Sequence, residues 1–377
     1  MEYVNDESVL SLSTEIIKDK FYFGILNESI LPSEKWQILN TDNMFPYSGY
    51  YKDFGPLNIA QITRYSGIIT NILQKNKSTE TKLLHYTFMK KKINILNSAF
   101  LVGAFQILNL NKTDKEAYQS LSKYSSLFTS YIDASNGSSN YFLSLEECLS
   151  GIYRAYLKRI YRHDLFDISV YEHFDKLENG DLNWIISNRI MAFSGPEDDA
   201  FYKDQLTHSP EVYIPYFRYN KVVCIIRLNE KRYSSEIFKR AGIDHFDLYF
   251  DDGDTPSEEI VQRFLTICNI YNQAIAIHCA AGLGRTGTLI AYYLMHFHGF
   301  SASESIAWVR ICRPGSILGK QQLWLTQKGK EISKLKIITR PRQNKLYFKH
   351  LVFKRALHKF NMKYSSLSSV YRLKTLP

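Results

Sequence analysis

The chain has 377 residues, of which 45% are hydrophobic and 14% aromatic. That length allows two globular domains with ordinary cores, and that composition excludes a disordered or fibrous protein. The formal net charge of +10 would attract nucleic acid, membrane surfaces or phosphorylated partners, and it does not choose among them.

The amino-terminal stretch predicts no secretory signal, because its first twenty residues are acidic and polar and contain no apolar core segment. We also expect no apolar run of transmembrane length. The five cysteines form no CxxC pair and no zinc-ligand spacing, so we expect free thiols inside the cell and no bound metal. These cysteines are Cys148, Cys224, Cys268, Cys279 and Cys312.

Strand and helix patterns alternate along the first half of the chain. The predicted elements are a strand at Phe21–Leu26, a helix at Ile59–Leu73, a strand at Lys82–Tyr86, a helix at Ile95–Leu108, a polar loop at Thr129–Phe142 and a helix at Ser144–Tyr161. A strand followed by a helix, repeated, predicts an α/β fold.

The second half shows the same alternation. Its predicted elements are a strand beginning near Arg189, strands at Lys221–Leu228 and Phe246–Phe250, a helix after Pro256, a strand at Ala274–His278 and a helix at Thr288–Phe297. After Ile337 the chain is basic, and Leu346–Phe360 has loosely helical apolar spacing.

The two halves share a pattern around one histidine in each. His85 is followed by a tyrosine and, seven residues after the histidine, by Lys92, whereas His278 is followed by Cys279 and, at the same distance, by Arg285. We interpret this as a duplication in which Tyr86 replaces a nucleophile and the first half has lost its chemistry. The alternative is a chance similarity between two α/β halves.

The segment Gly282–Gly287 also matches GxGxxG, the fingerprint of dinucleotide-binding folds. In that fingerprint the first glycine turns the chain directly after the strand, but here four residues, His278–Ala281, intervene. The acidic residue expected for the ribose should end a second strand, and Glu304 lies in a helical pattern instead. A nucleotide-dependent oxidoreductase is therefore the weaker interpretation.

A loop that binds a tetrahedral oxyanion explains more of the residues. Its backbone amides would point inward at the start of a helix, small residues would allow close approach, and Arg285 could bind two phosphate oxygens. The same positive environment favours the thiolate of Cys279, and the hydroxyl of Thr286 could bond the sulfur. An inert buried thiol is the alternative, which we accept for Cys224 and Cys268. The predicted phosphate-binding residues are Ala280, Ala281, Gly282, Leu283, Gly284 and Arg285.

Displacing an alkoxide requires a proton donor, and Asp251, Asp252 and Asp254 lie together between a strand and a helix. Three neighbouring carboxylates repel one another, so that one of them can retain a proton more readily. The alternative is helix capping by solvated carboxylates, which we expect of Asp254.

The motif HCAAGLGRTG has the HCxxGxxR signature of cysteine-dependent protein phosphatases. Together with YYKDFGPLN, LENGDLNW, RIMAFSGPED, HSPEVYIPYF, FDLYFDDGDTP and IAWVRICRPGSILGKQQ, it resembles the cell-division-cycle-fourteen phosphatases over roughly Asp19–Leu335. The resemblance implies two tandem dual-specificity-phosphatase-like domains, each a central sheet flanked by helices. Residues 1–165 would be the degenerate domain that contributes to the substrate groove, 166–340 the catalytic domain, and 341–377 a short basic tail.

The resemblance also implies roles for individual residues. Cys279 would be the nucleophile, Arg285 the phosphate clamp and Asp252 the general acid, with His278 and Thr286 in support. Gln321 or Gln322 would place the hydrolytic water, although Leu323 departs from the glutamine that the family pattern leads us to expect there. Glu178 and Asp181 would form an acidic groove that favours a basic substrate residue; their alternative is ordinary solvated charge.

The implied function is hydrolysis of phosphoserine or phosphothreonine before proline, and of phosphotyrosine, through a cysteinyl-phosphate. In the cell this would reverse cyclin-dependent-kinase-type phosphorylation in the nucleus, at the spindle pole or centrosome, or in the cytoplasm. We expect phosphoprotein partners, no nucleic acid, and no cofactor, and we leave the oligomeric state open. The alternatives are a phosphoinositide phosphatase, which the neutral Ala280, Ala281 and Leu283 disfavour, and a phosphopeptide-binding scaffold without turnover.

Overall fold

The computed structural model describes residues 6–135, 139–198, 201–202 and 205–338. The tail predicted at 341–377, including the helical spacing at Leu346–Phe360, lies outside the described residues.

The first half contains a mixed four-stranded sheet with helices packed on it. Its elements are α1 (Asp6–Leu12), β1 (Ser13–Ile17), β2 (Phe21–Leu26), β3 (Trp36–Asn40), α2 (Ile59–Lys75), β4 (Lys82–Phe88), α3 (Lys92–Leu110), α4 (Asp114–Leu121), a 3-10 helix (Ser122–Leu127) and α5 (Leu145–Leu157). The strand order is β1-β2-β4-β3, with β1 antiparallel to β2 and the other pairs parallel. The chain passes from β3 to its parallel neighbour β4 through helix α2, because parallel strands need such a crossover.

The second half contains a mixed five-stranded sheet. Its elements are α6 (Ile168–Phe174), a 3-10 helix (Leu177–Asn179), β5 (Leu182–Ile186), β6 (Ile190–Phe193), β7 (Phe201–Tyr202), β8 (Gln205–Leu206), α7 (Pro210–Tyr219), β9 (Val222–Arg227), α8 (Glu236–Arg240), β10 (Asp244–Asp247), α9 (Glu258–Ile270), β11 (Ala274–His278), α10 (Gly284–Tyr293), a π-helical turn (Leu294–His298), α11 (Ala302–Cys312) and α12 (Lys320–Ile338). Its strand order is β10-β9-β11-β6-β5, and only β5 runs antiparallel to its neighbour.

The two sheets share one topology, which confirms the predicted α/β fold in both halves. In each, an antiparallel hairpin pairs through its second strand with the strand that carries the histidine, and that strand has a second parallel neighbour on its other side. The second sheet differs by the additional edge strand β10.

Two predicted strands have different ends in the structure. β4 continues beyond Tyr86 to Phe88, because β2 continues beside it and Leu26 pairs with Phe88. The strand predicted at Phe246–Phe250 is instead β10, which ends at Asp247, because its single neighbour β9 ends at Arg227.

Helix α3 corrects the expectation that no apolar segment reaches transmembrane length. Among the described residues, it is a helix long and apolar enough to cross a membrane, with 19 residues and a mean hydropathy of 1.5. However, 78% of its apolar 18-residue stretch is buried inside the protein, and residues such as Phe100 and Phe105 belong to the hydrophobic core. Its composition therefore reflects a central core helix.

The hydrophobic core is continuous across the two halves. Helix α5 of the first half packs along α11 of the second, and the rings of Tyr161 and Trp308 lie 5.7 Å apart. The predicted boundary at residue 165 falls in the connection between α5 and α6, and the domain limits remain a prediction.

Candidate active site

The candidate loop lies at the carboxyl edge of the parallel strands in the second sheet, where sites of open α/β sheets lie. Strand β11 ends at His278, the loop begins with Cys279, and α10 starts at Gly284. Cys279 is only 3% exposed, whereas Ala280 and Ala281 are partly exposed. The thiol therefore lies at the bottom of the loop and the alanines lie nearer its mouth.

The carbonyl groups of the loop are turned outward by hydrogen bonds from the surrounding protein. The oxygen of Ala280 accepts a 2.7 Å hydrogen bond from the amide of Gly195, next to the end of β6. The side chain of Arg313 donates to the oxygens of Ala281 and Gly282, at 2.9 and 3.0 Å. Because carbonyl and amide groups alternate in direction, this arrangement leaves the loop amides for an anion at its centre.

Gly282 is the position in this loop where a side chain is not tolerated. Its φ of +68° lies in the left-handed region, and a Cβ there would come within 2.0 Å of the oxygen of Phe193. A glycine therefore allows the loop to lie directly against the end of β6.

His278 supports the loop from below through a chain of hydrogen bonds. Its Nδ1 lies 2.9 Å from the oxygen of Cys279, and its Nε2 lies 2.8 Å from the hydroxyl of Tyr233, which also lies 2.7 Å from Nε2 of His245. Burial lowers the pKa of His278 to about 3, so the ring is neutral. A neutral ring that donates from Nδ1 to the carbonyl oxygen and accepts from Tyr233 satisfies both contacts.

Arg285 lies in the first turn of α10 and is 2% exposed. Its Nη1 donates to the oxygen of Phe250 at 3.0 Å, and its Nε lies 3.2 Å from Oδ1 of Asp252. The Nε makes no hydrogen bond within the described part of the chain. The guanidinium is therefore fixed at one end and has donor capacity left for an anion.

The structure separates the three clustered aspartates. Asp252 faces Arg285 with a side chain that is 81% exposed, whereas Asp251 accepts a 2.6 Å hydrogen bond from the hydroxyl of Tyr249. Asp254 forms an ion pair with Lys320 at 2.9 Å. Of the three, only Asp252 forms an ion pair with Arg285.

The prediction that Asp254 caps the following helix is wrong. The N-cap of α9 is Ser257, whose side chain accepts from the amide of Ile260. Asp254 lies too early in the chain to reach the free amides of α9, and it accepts from the amide of Thr255 instead.

The predicted hydrogen bond between Thr286 and the sulfur is not formed. The hydroxyl of Thr286 is fully buried and has no hydrogen-bond partner among the described residues. A buried hydroxyl without a partner destabilises the folded protein. Because Thr286 directly follows Arg285, its hydroxyl can still bond a group that enters the site.

The two glutamines occupy different environments. Oε1 of Gln321 accepts from the amide of Leu318 and its Nε2 donates to the oxygen of Asp254, both at 3.0 Å; a Cβ added to Gly284 would lie 3.2 Å from its side chain. Gln322 instead accepts a 2.7 Å hydrogen bond from Arg310 inside the core. Gln321 is therefore the one that lies against the candidate loop, at Gly284.

The two predicted groove acids also differ. Asp181 pairs with Nη1 of Arg313 at 2.8 Å and has a side chain 26% exposed, so it belongs to the support of the loop. Glu178 is exposed and forms no ion pair with the residues that the structure describes.

Sequence reasoning missed Arg313 and Tyr50. Arg313 lies in the Cys-Arg-Pro-Gly sequence at the end of α11. An arginine directly before a Pro-Gly turn was the signal in the sequence that could have indicated a role in the site. Tyr50 belongs to the first half, where no local pattern could place it. A Cβ built on Gly315 would lie 2.6 Å from the Cβ of Tyr50 and 3.7 Å from Leu283 of the candidate loop, so Tyr50 lies close to that loop.

Metal-binding clusters of three or more histidine, cysteine, aspartate or glutamate side chains do not occur among the described residues.

Comparison with known proteins decides the family. The dual specificity protein phosphatase CDC14C of Homo sapiens is 42% identical over 313 residues, which cover 83% of this chain and 70% of that protein. The chain belongs to the CDC14 family of dual specificity phosphatases.

Other CDC14 relatives agree with this assignment. CDC14AB of Danio rerio is 43% identical over 325 residues, 86% of this chain and 53% of that protein. The tyrosine-protein phosphatase cdc-14 of Caenorhabditis elegans is 37% identical over 330 residues, 84% of this chain and 46% of that protein. The chain thus spans about half the length of several curated relatives.

Two family models match separate parts of the chain. The model of the N-terminal half of dual specificity protein phosphatases matches residues 15–155, and a model of DSP-PTPase phosphatases of polymorphic toxin systems matches residues 210–299. Each half of the chain is therefore similar to phosphatase domains.

Proposed function

We propose that the chain hydrolyses phosphate esters of proteins through a cysteinyl-phosphate on Cys279. The observation that carries the proposal is the convergence of a buried cysteine, a loop with outward carbonyl groups, and the pair Arg285–Asp252 at one edge of the sheet. CDC14 relatives carry the name dual specificity protein phosphatase, so we infer activity on phosphoserine, phosphothreonine and phosphotyrosine.

In the first step the Cys279 thiolate attacks phosphorus and the bond from phosphorus to the ester oxygen breaks. The leaving oxygen takes a proton from Asp252, while Arg285 and the loop amides stabilise the charge on the transferring phosphoryl group. We assign to Thr286, whose buried hydroxyl has no hydrogen-bond partner among the described residues, a hydrogen bond to the sulfur that forms only during the reaction.

In the second step water attacks the phosphorus of the cysteinyl-phosphate and gives its proton to the Asp252 carboxylate. The sulfur–phosphorus bond breaks, its electron pair returns to Cys279 as thiolate, and inorganic phosphate leaves. We assign the placement of this water to Gln321 rather than Gln322, because Gln321 lies against Gly284.

The substrate groove of the proposal includes both halves. Glu178 provides exposed negative charge for a basic residue of the substrate, and Tyr50, with a side chain that is largely exposed, provides an aromatic surface for the proline after the phosphoresidue. Such sites are those of cyclin-dependent-kinase-type phosphorylation, so we infer a role in cell-cycle control.

We extend the proposal to a place of action inside the cell. The five cysteines are free and buried, which suits a reducing compartment. Nucleus, spindle pole or centrosome, and cytoplasm stay open within it.

Two other functions receive less support. A phosphoinositide phosphatase would need additional positive charge at Ala280, Ala281 and Leu283, and a scaffold without turnover would not need Asp252 beside Arg285. Neither explains the site as fully.

The test is turnover of a matched set of phosphopeptides, with proline or alanine after the phosphoresidue, in excess chelator. We expect release of phosphate without added metal, and faster release for the proline peptides. Activity that requires a metal ion would contradict the cysteine mechanism, and equal rates for both peptides would contradict the proline preference alone.

A further inference from the structure

The segment between α11 and α12 has an unusual backbone. Gly315, Ile317 and Gly319 have φ values of +78°, +66° and +52°, all in the left-handed region. For a β-branched residue such as Ile317 this conformation is strained, so contacts from the surroundings must maintain it. We call Gly315–Gly319 the strained loop.

One of these contacts comes from the second half itself. Arg310 is 3% exposed, its Nε donates to the oxygen of Ser316 at 3.0 Å, and its Nη2 donates to the oxygen of Ile317 at 2.8 Å. This arginine fixes the beginning and the middle of the strained loop.

The end of the strained loop is held from the first half. Asp133 is 5% exposed, and its Oδ2 accepts a 2.8 Å hydrogen bond from the amide of Gly319. Ser139 and Ser135 donate to the same carboxylate, the first at 2.6 Å. Burial raises the pKa of Asp133, but these hydrogen bonds outweigh it and hold the pKa below its usual value.

The strained loop leads directly to Gln321. The amide of Leu318 donates to Oε1 of Gln321, so the loop backbone fixes the orientation of that amide group. Gln321 is fully buried and its side chain faces Gly284 at the start of α10. A shift of Gly319 would therefore move the group that we assign to the hydrolytic water.

We propose that Asp133, a residue of the first half, is a positioning residue for hydrolysis of the cysteinyl-phosphate on Cys279 of the second half. The inference rests on the proposed function. In this step water forms the new oxygen–phosphorus bond, the sulfur–phosphorus bond breaks, the electron pair returns to Cys279, and the water proton passes to Asp252. Asp133 acts by fixing Gly319 and hence Gln321.

We expect formation of the cysteinyl-phosphate to depend much less on this contact. The loop around Cys279 receives its shorter hydrogen bonds from Arg313, His278 and Gly195 of the second half, whereas the strained loop contributes one long contact, 3.4 Å from the amide of Ile317 to the oxygen of Leu283. Loss of Asp133 should therefore affect the second step selectively.

The experiment is rapid-quench kinetics with an activated aryl phosphate, whose leaving group barely needs the acid. For Asp133→Ala we expect an unchanged burst of phenolate and a steady rate lower by roughly 10- to 100-fold, with phosphorylated Cys279 accumulating. Asp133→Asn keeps an acceptor for Gly319 and should restore most of the steady rate.

A matched control is Arg154→Ala, which removes a different contact between the halves, the ion pair with Glu304. It should leave both phases unchanged. In the Gln321→Ala background, Asp133→Ala should add no further loss, because the two changes act through one group.

An equal decrease of burst and steady rate, an unchanged steady rate, or additive losses with Gln321→Ala would each overturn the proposal. If Asp133→Ala does not fold, Ser139→Ala can replace it, because it removes one hydrogen bond that orients the Asp133 carboxylate. We expect this change to slow the steady phase by about two- to tenfold, and an unchanged rate would overturn the proposal equally. Failure of the proposed function would look different, since the unmodified protein would then show neither a burst nor labelled Cys279.

Discussion

The junction between β4 and α3 in the first half and the junction between β11 and α10 in the second are built on the same plan. Each strand contains a fully buried histidine with a tyrosine hydroxyl nearby, Tyr65 at 2.9 Å from His85 and Tyr233 at 2.8 Å from His278. Each histidine also packs beside a phenylalanine ring of the neighbouring strand, at 5.4 and 4.8 Å. The scaffold around the histidine is therefore common to both halves.

The junctions differ in the residues directly after the histidine. β4 continues to Phe88, and Tyr86 is 5% exposed inside a hydrophobic cluster, so it lies within the strand, whereas Cys279 begins a loop. Lys92 is exposed, whereas Arg285 is buried in the site. Aromatic and β-branched residues prolong a strand, while alanine and glycine allow the chain to leave it. The two halves therefore share the sheet around the histidine and differ in the chemistry of the residues that follow it.

The largest expected effect is that of Cys279→Ser, which should abolish turnover because a serine hydroxyl is not ionised at neutral pH. The loop amides should still bind phosphopeptide, as titration calorimetry would measure. The matched change in the first half, Tyr86→Phe, should leave activity at the level of the unmodified protein. More than a trace of activity in Cys279→Ser, or a large loss in Tyr86→Phe, would break the comparison.

Asp252→Ala should slow phosphoserine peptides by about two to four orders of magnitude, because an alkoxide leaving group needs a proton. An activated aryl phosphate should be slowed much less. The control is Asp251→Ala, which removes a carboxylate bonded to Tyr249 and should have little effect. Equal loss on both substrates, or loss with Asp251→Ala alone, would remove Asp252 from the role of acid.

The shared scaffold should appear in the pH dependence of stability. Burial lowers the pKa of His85 and of His278 to about 3, so between their ordinary value near 6.5 and pH 3 the unfolded chain binds protons that the folded chain does not. The free energy of unfolding should fall as pH decreases, by up to about 1.4 kcal/mol per pH unit for each histidine.

Urea unfolding at pH 7, 6 and 5 would measure this slope. His85→Gln and His278→Gln should each flatten it, but only the second should lower activity, because only His278 bonds to the loop that begins with Cys279. A slope that neither change alters would show that these histidines bind protons equally in the folded and unfolded chains, which would contradict their lowered pKa.

The smallest expected effect separates the two groove acids. Glu178→Gln should reduce kcat/KM by about 1.4- to 5-fold for peptides with a basic residue downstream of the phosphoserine, and high salt should mimic it. Alanine peptides and aryl phosphates should be unaffected. Asp181→Asn should instead slow all three substrates alike, because it loosens Arg313. A loss confined to basic peptides in both variants would place Asp181 in the groove.

The periodicity of the sequence predicted the strands at the centre of both sheets, but not the outer strands β1, β3 and β5. Phe21–Leu26 and Ala274–His278 form the strands predicted for them. The helix predicted at Ile59–Leu73 is α2, which begins at the same residue and ends at Lys75. The ends of β4 and β10 were predicted less well, because the length of a strand depends on the neighbour that it pairs with.

By itself the sequence determined the α/β fold, the repeated pattern around the two histidines and the candidate loop, because apolar spacing, glycines and the cysteine–arginine motif act over a few neighbouring residues. Only the tertiary structure decided which aspartate faces Arg285, which glutamine lies against Gly284, and that Asp133 holds Gly319 across 186 positions of the chain. The reason is physical: a side chain's role in the site depends on the atoms packed around it, and those atoms come from segments that are distant in sequence.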